Sequence, residues 1–360
     1  MSCKKVVEII PDLRSGGAEK FVVDLSNRFS DIGLDCGLCT LYDKNDDELL
    51  RPLVSNSIKQ YTFHKRIGLD LKCLYRLTRF IIRERPDAVH VHLDAVKYVL
   101  ITSVFCKKIK HFATIHSSAS FDAQSGFSAL VRKFLFKKRF VTPVTISEES
   151  QISFEKFYGF IPKLITNGCS DYVPESPSLS QYHVGVDYLF IHAASIQPVK
   201  NQMMLLKAFK RLLEDGVNAK LLIMGRVTDS SIFEKMQPFF SERIQYLGEQ
   251  KNVRDFMNCA DAFCLSSTVE GMPITIIEAF SVGCIPITTP VGGCLNMIQS
   301  GVNGLLSEET TEDAYYRALS SFVKIDKQTL SEMKEQARLS FVQNYSIQKT
   351  ADNYLALFNE

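Results

Sequence analysis

Two carboxylates stand eight residues apart in Glu270-Gly271-Met272-Pro273-Ile274-Thr275-Ile276-Ile277-Glu278. The stretch follows an apolar strand-like run, Ala262–Leu265, and leads into an apolar helical pattern. That spacing places one carboxylate in the strand-to-helix loop and the other near the helix start. Carboxylates accept hydrogen bonds from paired hydroxyls, and free N–H groups at a helix start suit phosphate. A second candidate is Ser15-Gly16-Gly17-Ala18-Glu19, between a β-branched run and a helix. Glycines there permit close backbone approach to an anion, although the pattern is not G-x-G-x-x-G and implies no dinucleotide; a plain tight turn explains it equally.

Other patterns carry less. Cys36-Gly37-Leu38-Cys39 is formally C-x-x-C, but in a strand positions three apart face opposite sides. His90 and His92 share one strand face, with no third metal ligand evident in the sequence. Ser128 to Phe140, SALVRKFLFKKRF, interleaves Arg132, Lys133, Lys137, Lys138 and Arg139 with Leu130, Val131, Phe134, Leu135 and Phe136. Such a basic amphipathic helix suits an anionic membrane surface, or else its aromatics join a core.

The elements that must position these residues alternate. Strand-like runs at Lys5–Ile10, 33–42, 88–93, 111–116 and 141–147 are separated by helical stretches, beginning with 18–29. The second half repeats the pattern at Tyr188–Ala193, Ala219–Met224, 245–247, Ala262–Leu265 and Ile285–Thr288, and from 333 onward it reads as helical. Alternation of this kind means parallel sheets, and 360 residues exceed one average domain. The expected organisation is α/β, two Rossmann-like doubly wound domains facing across a cleft. An N-terminal domain spans 1–172, a Ser- and Pro-containing linker 173–184, a C-terminal domain 185–344, and a helix at 345–360 packs back toward the first.

Net charge is only +2, but residues 51–140 hold 18 Lys and Arg against 5 Asp and Glu, which favours an anionic partner. No recognition module for nucleic acid accompanies that charge. No apolar run reaches the ~18 residues of a membrane span. The start has no signal-peptide core, and the ten cysteines lack regular spacing, so reduced thiols in a cytoplasmic protein are expected.

VEGMPITIIEAFSVGCIPITTPVGG closely resembles the E-x7-E segment of the family 4 retaining glycosyltransferases, also called glycosyl transferases group 1, which have the GT-B fold. SGGAE, RPDAVHVH, ATIHS, VTISEES, ITNGCSD, AASIQPVKNQ, LLIMG, IQYLGEQ, CADAFCLSS and NGLL resemble further family segments in the right order, across nearly the whole chain.

The resemblance implies a role for each matching residue. Lys200 would hold the donor diphosphate and stabilise its growing charge, with Glu270 and His116 as the other catalytic positions. Glu278 would accept from the ribose hydroxyls, and Glu270 with the backbone of Gly271, Met272, Pro273 and Ile274 would grip the sugar. Gly16 and Gly17 would let acceptor and donor phosphate approach. Arg226 and Gly248 would lie near the nucleoside. Ser195 stands where the family has an arginine, a bidentate phosphate clamp that a hydroxyl cannot replace; Arg226 is the candidate to restore the charge.

The implied activity is metal-independent, retaining transfer from a nucleotide sugar, UDP-linked by preference. The acceptor would be a glycan or lipid-linked hydroxyl in cell-surface polysaccharide or glycolipid synthesis, at the inner face of the cell membrane. The nucleotide sugar is a co-substrate, so no cofactor is implied. An epimerase or hydrolase of the same fold, or a weakly catalytic partner subunit, are the alternatives.

Overall fold

The computed structural model describes residues 3–14, 16–43, 48–116, 127–173 and 179–360. The chain divides into two compact units, Met1–Ser170 with Tyr345–Glu360, and Asp171–Asn344.

The first unit holds seven strands: β1 (Lys5–Ile10), β2 (Asp35–Thr40), β3 (Lys59–Thr62), β4 (Ala88–His92), β5 (Lys110–Ile115), β6 (Thr142–Thr145) and β7 (Lys163–Leu164). They form one parallel sheet in the order β3-β2-β1-β4-β5-β6-β7. The central strands are buried on both faces, as near-continuous apolar runs require. The two edge strands are the ones that hydrophobic patterning does not announce: Lys59–Thr62 is exposed or half-buried along its length, and β7 is two exposed residues. Helix Leu71–Glu84 starts at Asp70, whose carboxylate accepts from Lys72 N and Cys73 N, and ends at Arg85 in the left-handed region before Pro86. Glu148–Tyr158 opens on a Ser147–Ser150 capping box and closes on left-handed Gly159.

The second unit repeats the design with β8 (Tyr188–Ala193), β9 (Ala219–Met224), β10 (Ile244–Tyr246), β11 (Ala262–Leu265), β12 (Ile285–Thr288) and β13 (Leu305–Leu306), in the order β10-β9-β8-β11-β12-β13, again parallel. Phe190 packs edge-on against Phe209 and Phe322 in its core. Of the expected linker, 174–178 lie outside the described residues; Ser180–His183 form a 3-10 turn.

The helical pattern that begins at 333 is two helices rather than one. Lys327–Ser340 ends in a π-helical turn, Phe341–Tyr345, after which the chain rejoins the first unit as Ile347–Asn359. Cys169 N donates to Tyr345 O and Ile347 N to Cys169 O, stitching the returning chain to the segment that follows β7. A Cβ on Gly168 would lie 2.7 Å from Ser346 O, so only glycine allows that approach. Tyr354 and Phe358 then pack on Phe21 and Phe29 of helix Gly17–Asp31. All ten cysteines are free, and eight are buried. Burial pushes the Cys36 and Cys39 thiols well above their ordinary range, which leaves that pair unreactive.

Candidate functional site

In each sheet the connections leave in opposite directions from two neighbouring strands, and a crevice opens beyond their carboxyl ends. In the second unit those strands are β8 and β11. The segment after β8 carries Ser195 and Lys200; the segment after β11 carries Glu270. Lys200 ends the 3-10 turn Pro198–Lys200, and Asn201, left-handed at φ 50°, turns the chain into helix Gln202–Glu214. The two segments are tied together: Thr268 N donates to Val199 O, and Ser266 Oγ to Lys200 O. The result is a 2.7 Å ion pair between Lys200 Nζ and Glu270 Oε1, with Ser267 Oγ donating to the same oxygen at 2.5 Å. The lysine side chain is 21% exposed and the carboxylate 9%, so the cation faces outward while its partner is held beneath. A lysine so placed can meet an anion, and a carboxylate beside it can accept from hydroxyls.

Ser195 Oγ accepts from Gln197 Nε2, and its carbonyl accepts from buried Gln202. Ile196 bridges Val227, and Ile196 N donates to Arg226 O, so Ser195 and Arg226 are brought onto adjoining backbone. The third piece is Gly248, whose carbonyl accepts from Gly225 N, while Tyr246 OH donates to Gly225 O. Gly225 has φ 144°, and a Cβ there would sit 1.9 Å from Ala194 O. The resemblance sets this glycine with Arg226 near the base and nucleoside, but that glycine is obligatory there is revealed only by the close approach of two segments distant in sequence.

One expectation is corrected. Glu278 is not near the helix start: Pro273 is the N-cap of Ile274–Ser281, and Glu278 is its fifth residue, buried. Gly271 is half-buried; Met272, Pro273 and Ile274 are buried. Gly293 N donates to Gly271 O, and a Cβ on Gly293 would lie 2.2 Å from that oxygen, so the loop is clamped by a second glycine.

In the first unit the divergent strands are β1 and β4. Gly16 and Gly17 are exposed at the start of helix Gly17–Asp31, which has no side-chain cap; Ser15 lies outside the described residues. Gly16 is extended, at φ −175°, and the atom a Cβ would meet is the flexible Glu19 carboxylate, so the backbone does not demand glycine here. His116 directly follows β5 and is partly buried, its Nε2 3.0 Å from His92 Nδ1. The third polar group that the sequence did not offer to His90 and His92 is Glu8, brought from β1 by the sheet register. Ligand atoms of the three lie within 4.8 Å of one another, a spacing a metal could use, but hydrogen bonds among them already satisfy the groups. Burial pushes His90, His92 and His116 down to about 3 and raises Glu8.

The basic segment is divided. Helix Phe127–Lys137 buries Val131, Leu135 and Phe136, the last against Phe154 and Tyr158. Arg132 is buried as well, which removes it from any exposed basic face. Leu130, Lys133, Phe134, Lys137, Lys138 and Arg139 stay exposed. A neighbouring exposed set was missed: Ile67, Leu71 and Tyr75, interleaved with Arg66, Lys72, Arg76 and Arg79. Both helices pack on Leu93–Val99. The same alternation of basic and apolar residues was legible at 66–79. Among the described residues no helix is long and apolar enough to cross a membrane.

Residues 182–340 match the family described as glycosyl transferases group 1, and residues 15–170 match Glycosyltransferase Family 4. The chain belongs to the glycosyltransferases of GT-B fold. It is 24% identical over 358 residues, 93% of this chain and 90% of the relative, to the UDP-Gal:alpha-D-GlcNAc-diphosphoundecaprenol alpha-1,3-galactosyltransferase of Escherichia coli. To the N-acetyl-alpha-D-glucosaminyl L-malate synthase of Bacillus anthracis it is 23% identical over 84% of this chain and 82% of the relative. The crystal structure of Anabaena HepE in complex with UDP superimposes with a TM-score of 0.80 at 18% identity, covering 99% of both chains.

Proposed function

We propose that this glycosyltransferase moves a sugar from a UDP-linked donor to a hydroxyl of a glycan or lipid-linked acceptor, with retention at the anomeric carbon and without a metal. The observation that carries the reading is the Lys200–Glu270 pair at the crevice end of β8 and β11. In this reading the donor diphosphate takes over Lys200, which stabilises the negative charge that grows as the sugar departs. Glu270, released from the lysine, accepts from sugar hydroxyls, and Glu278 from the ribose. The leaving phosphate takes the acceptor proton, so no protein nucleophile is needed. His116 contacts the transferred sugar. Arg226 supplies the charge that Ser195 lacks.

The UDP preference draws on the UDP-bound HepE structure and on the E. coli relative's UDP-galactose donor. The lipid-linked acceptor, and with it polysaccharide or glycolipid synthesis, draws on that relative's diphosphoundecaprenol substrate. An acceptor anchored in a bilayer calls for contact with its cytoplasmic face. The exposed basic and apolar residues at 66–79 and 128–140 supply the chemistry for anionic lipid.

The test is a thermal-shift panel of UDP, GDP, ADP and their sugar conjugates on the parent, Lys200→Ala and Glu278→Ala. UDP is expected to stabilise the parent alone, by about 2.7 kcal/mol at 100 times its dissociation constant. Absence of stabilisation by every nucleotide overturns the reading.

A further inference from the structure

A column of polar side chains runs through the core of the first unit. Glu8 of β1 lies opposite His90 of β4, and His92, two residues on, opposite Thr114 of β5. Glu8, His90 and His92 are wholly buried, and Thr114 is 1% exposed. Tyr354, from the returning C-terminal helix, closes the column. A carboxylate and two imidazoles in a site that aliphatic residues could fill cost stability unless every polar atom is paired.

The pairing has a direction. Thr114 Oγ1 lies 2.7 Å from Tyr354 OH and 2.7 Å from His90 Nε2. His90 Nδ1 is 3.1 Å from Glu8 Oε1 and 3.0 Å from Oε2; His92 Nε2 is 2.7 Å from Oε2. His92 Nδ1 is 3.0 Å from His116 Nε2. Burial by itself favours the neutral acid, while donation from His92 favours the carboxylate. With a ring nitrogen of each histidine aimed at it, Glu8 is taken as the carboxylate, which only accepts, so both rings donate to it, His90 through Nδ1–H and His92 through Nε2–H. A neutral imidazole has one N–H, so the far nitrogen of each must accept. Thr114 therefore donates to His90, Tyr354 donates to Thr114, and His116 donates its Nε2–H to His92. Every donor in the chain then has one acceptor.

We propose that Glu8 is a positioning residue for transfer: through His92 it fixes His116 as the Nε2–H tautomer and leaves His116 Nδ1 as a hydrogen-bond acceptor for a sugar hydroxyl. The proposal rests on the reading that His116 contacts the transferred sugar. It gives the buried acid a task that packing does not. Orientation of a functional histidine by a carboxylate behind it is a general device, here with a second imidazole interposed. A proton placed on Glu8 and donated to His92 would turn both following rings over, so that His116 carried its proton on Nδ1 and lost the acceptor.

The experiment is ¹⁵N spectroscopy of selectively histidine-labelled full-length protein, assigned by single His→Gln variants. At neutral pH the expected pattern is His90 Nδ1–H, His92 Nε2–H and His116 Nε2–H; His116 found as Nδ1–H overturns the proposal. Glu8→Gln replaces two acceptors by one acceptor and one donor. An amide donating from the position 2.7 Å from His92 reverses that arm, so a His116 Nδ1–H signal absent from the parent should appear. With it kcat should fall at least about fivefold while the donor KM changes less than about twofold, a split expected when a transition-state contact is lost. Unchanged tautomers with kcat within about twofold of the parent overturn the proposal, as does a stoichiometric zinc ion retained through purification. A parent that neither binds UDP nor transfers sugar refutes the functional reading instead, and the parent's tautomer pattern still decides on the column itself.

Discussion

Gly225→Ala tests whether the segments after β8, β9 and β10 form one nucleotide-binding unit. Two costs add. The backbone at φ 144° is a region essentially reserved for glycine, at about 1–3 kcal/mol for another residue. The new Cβ would also lie 1.9 Å from Ala194 O and 2.6 Å from its carbon, both backbone, so residues 194–195 must move, at about 1–3 kcal/mol more. Gly216→Ala is the control. It has φ 83° with nothing within 4 Å, so it carries only the left-handed cost of about 1–2 kcal/mol. At roughly 2–4 °C per kcal/mol for a unit of this size, Gly225→Ala should melt about 4–24 °C below the parent, and Gly216→Ala about 2–8 °C below. Scanning fluorimetry of both, with and without saturating UDP, reads stability and binding together. UDP should raise the melting temperature of Gly216→Ala as it does the parent's, and should raise that of Gly225→Ala by less than half as much. Two variants equal in melting temperature and in UDP response would refute the reasoning, because the close approach would then have no consequence.

Lys200→Ala should remove UDP-dependent stabilisation and lower transfer by about 10²–10³-fold, the scale of losing one group that stabilises developing charge, whereas Glu270→Gln should keep UDP binding and lose transfer; nucleotide titrations and steady-state rates separate the two. Arg226→Ala should raise the donor KM by roughly tenfold, about 1.4 kcal/mol, if it replaces the missing arginine; an unchanged KM and turnover would sink that assignment. Stability of the first unit should fall on acidification. Burial holds His90, His92 and His116 at about 3 and His111 at about 4, while the unfolded chain titrates near ~6.5, so below that pH the unfolded state binds more protons. Glu8, raised by burial, gives the opposite slope through at most one proton, so the net loss is at least about 3 kcal/mol per pH unit near ~5.5. Denaturation midpoints that stay flat from pH ~7 to ~5 would refute it.

The central strands were legible because burial on both faces leaves them as apolar runs: Lys5–Ile10, Tyr188–Ala193 and Ala262–Leu265 occupy the residues their composition predicts. Edge strands Lys59–Thr62, Lys163–Leu164 and Leu305–Leu306 are short and half-open, and hydrogen bonding to a neighbour defines them rather than any pattern of their own. The same distinction governs the site. Lys200 and Glu270 were identifiable because each sits in a local motif, but their 2.7 Å contact joins residues seventy apart. Glu8 was invisible: a single acid in KVVEII reads as an interruption until the register sets it opposite His90. Arg132 erred the other way, a basic residue in a basic run whose helix phase turns it inward.

The two crevices, built by the same sheet topology, hold opposite electrostatics. In the second unit the charged groups are paired but the lysine is partly open, so an incoming anion can compete for Lys200 while Glu270 keeps the Ser267 hydroxyl. In the first unit Glu8, His90 and His92 are sealed and His116 is partly buried, and burial disfavours a charged imidazole at every step from His90 to His116. An arrangement of that kind is poor at binding a diphosphate and good at holding one neutral ring in one tautomer. On the proposed function, that division assigns charge recognition to Lys200 and hydroxyl recognition to His116. It follows that perturbing the first crevice should act on turnover and perturbing the second on nucleotide affinity; a Glu8 variant that weakened UDP binding as much as Lys200→Ala does would contradict that division.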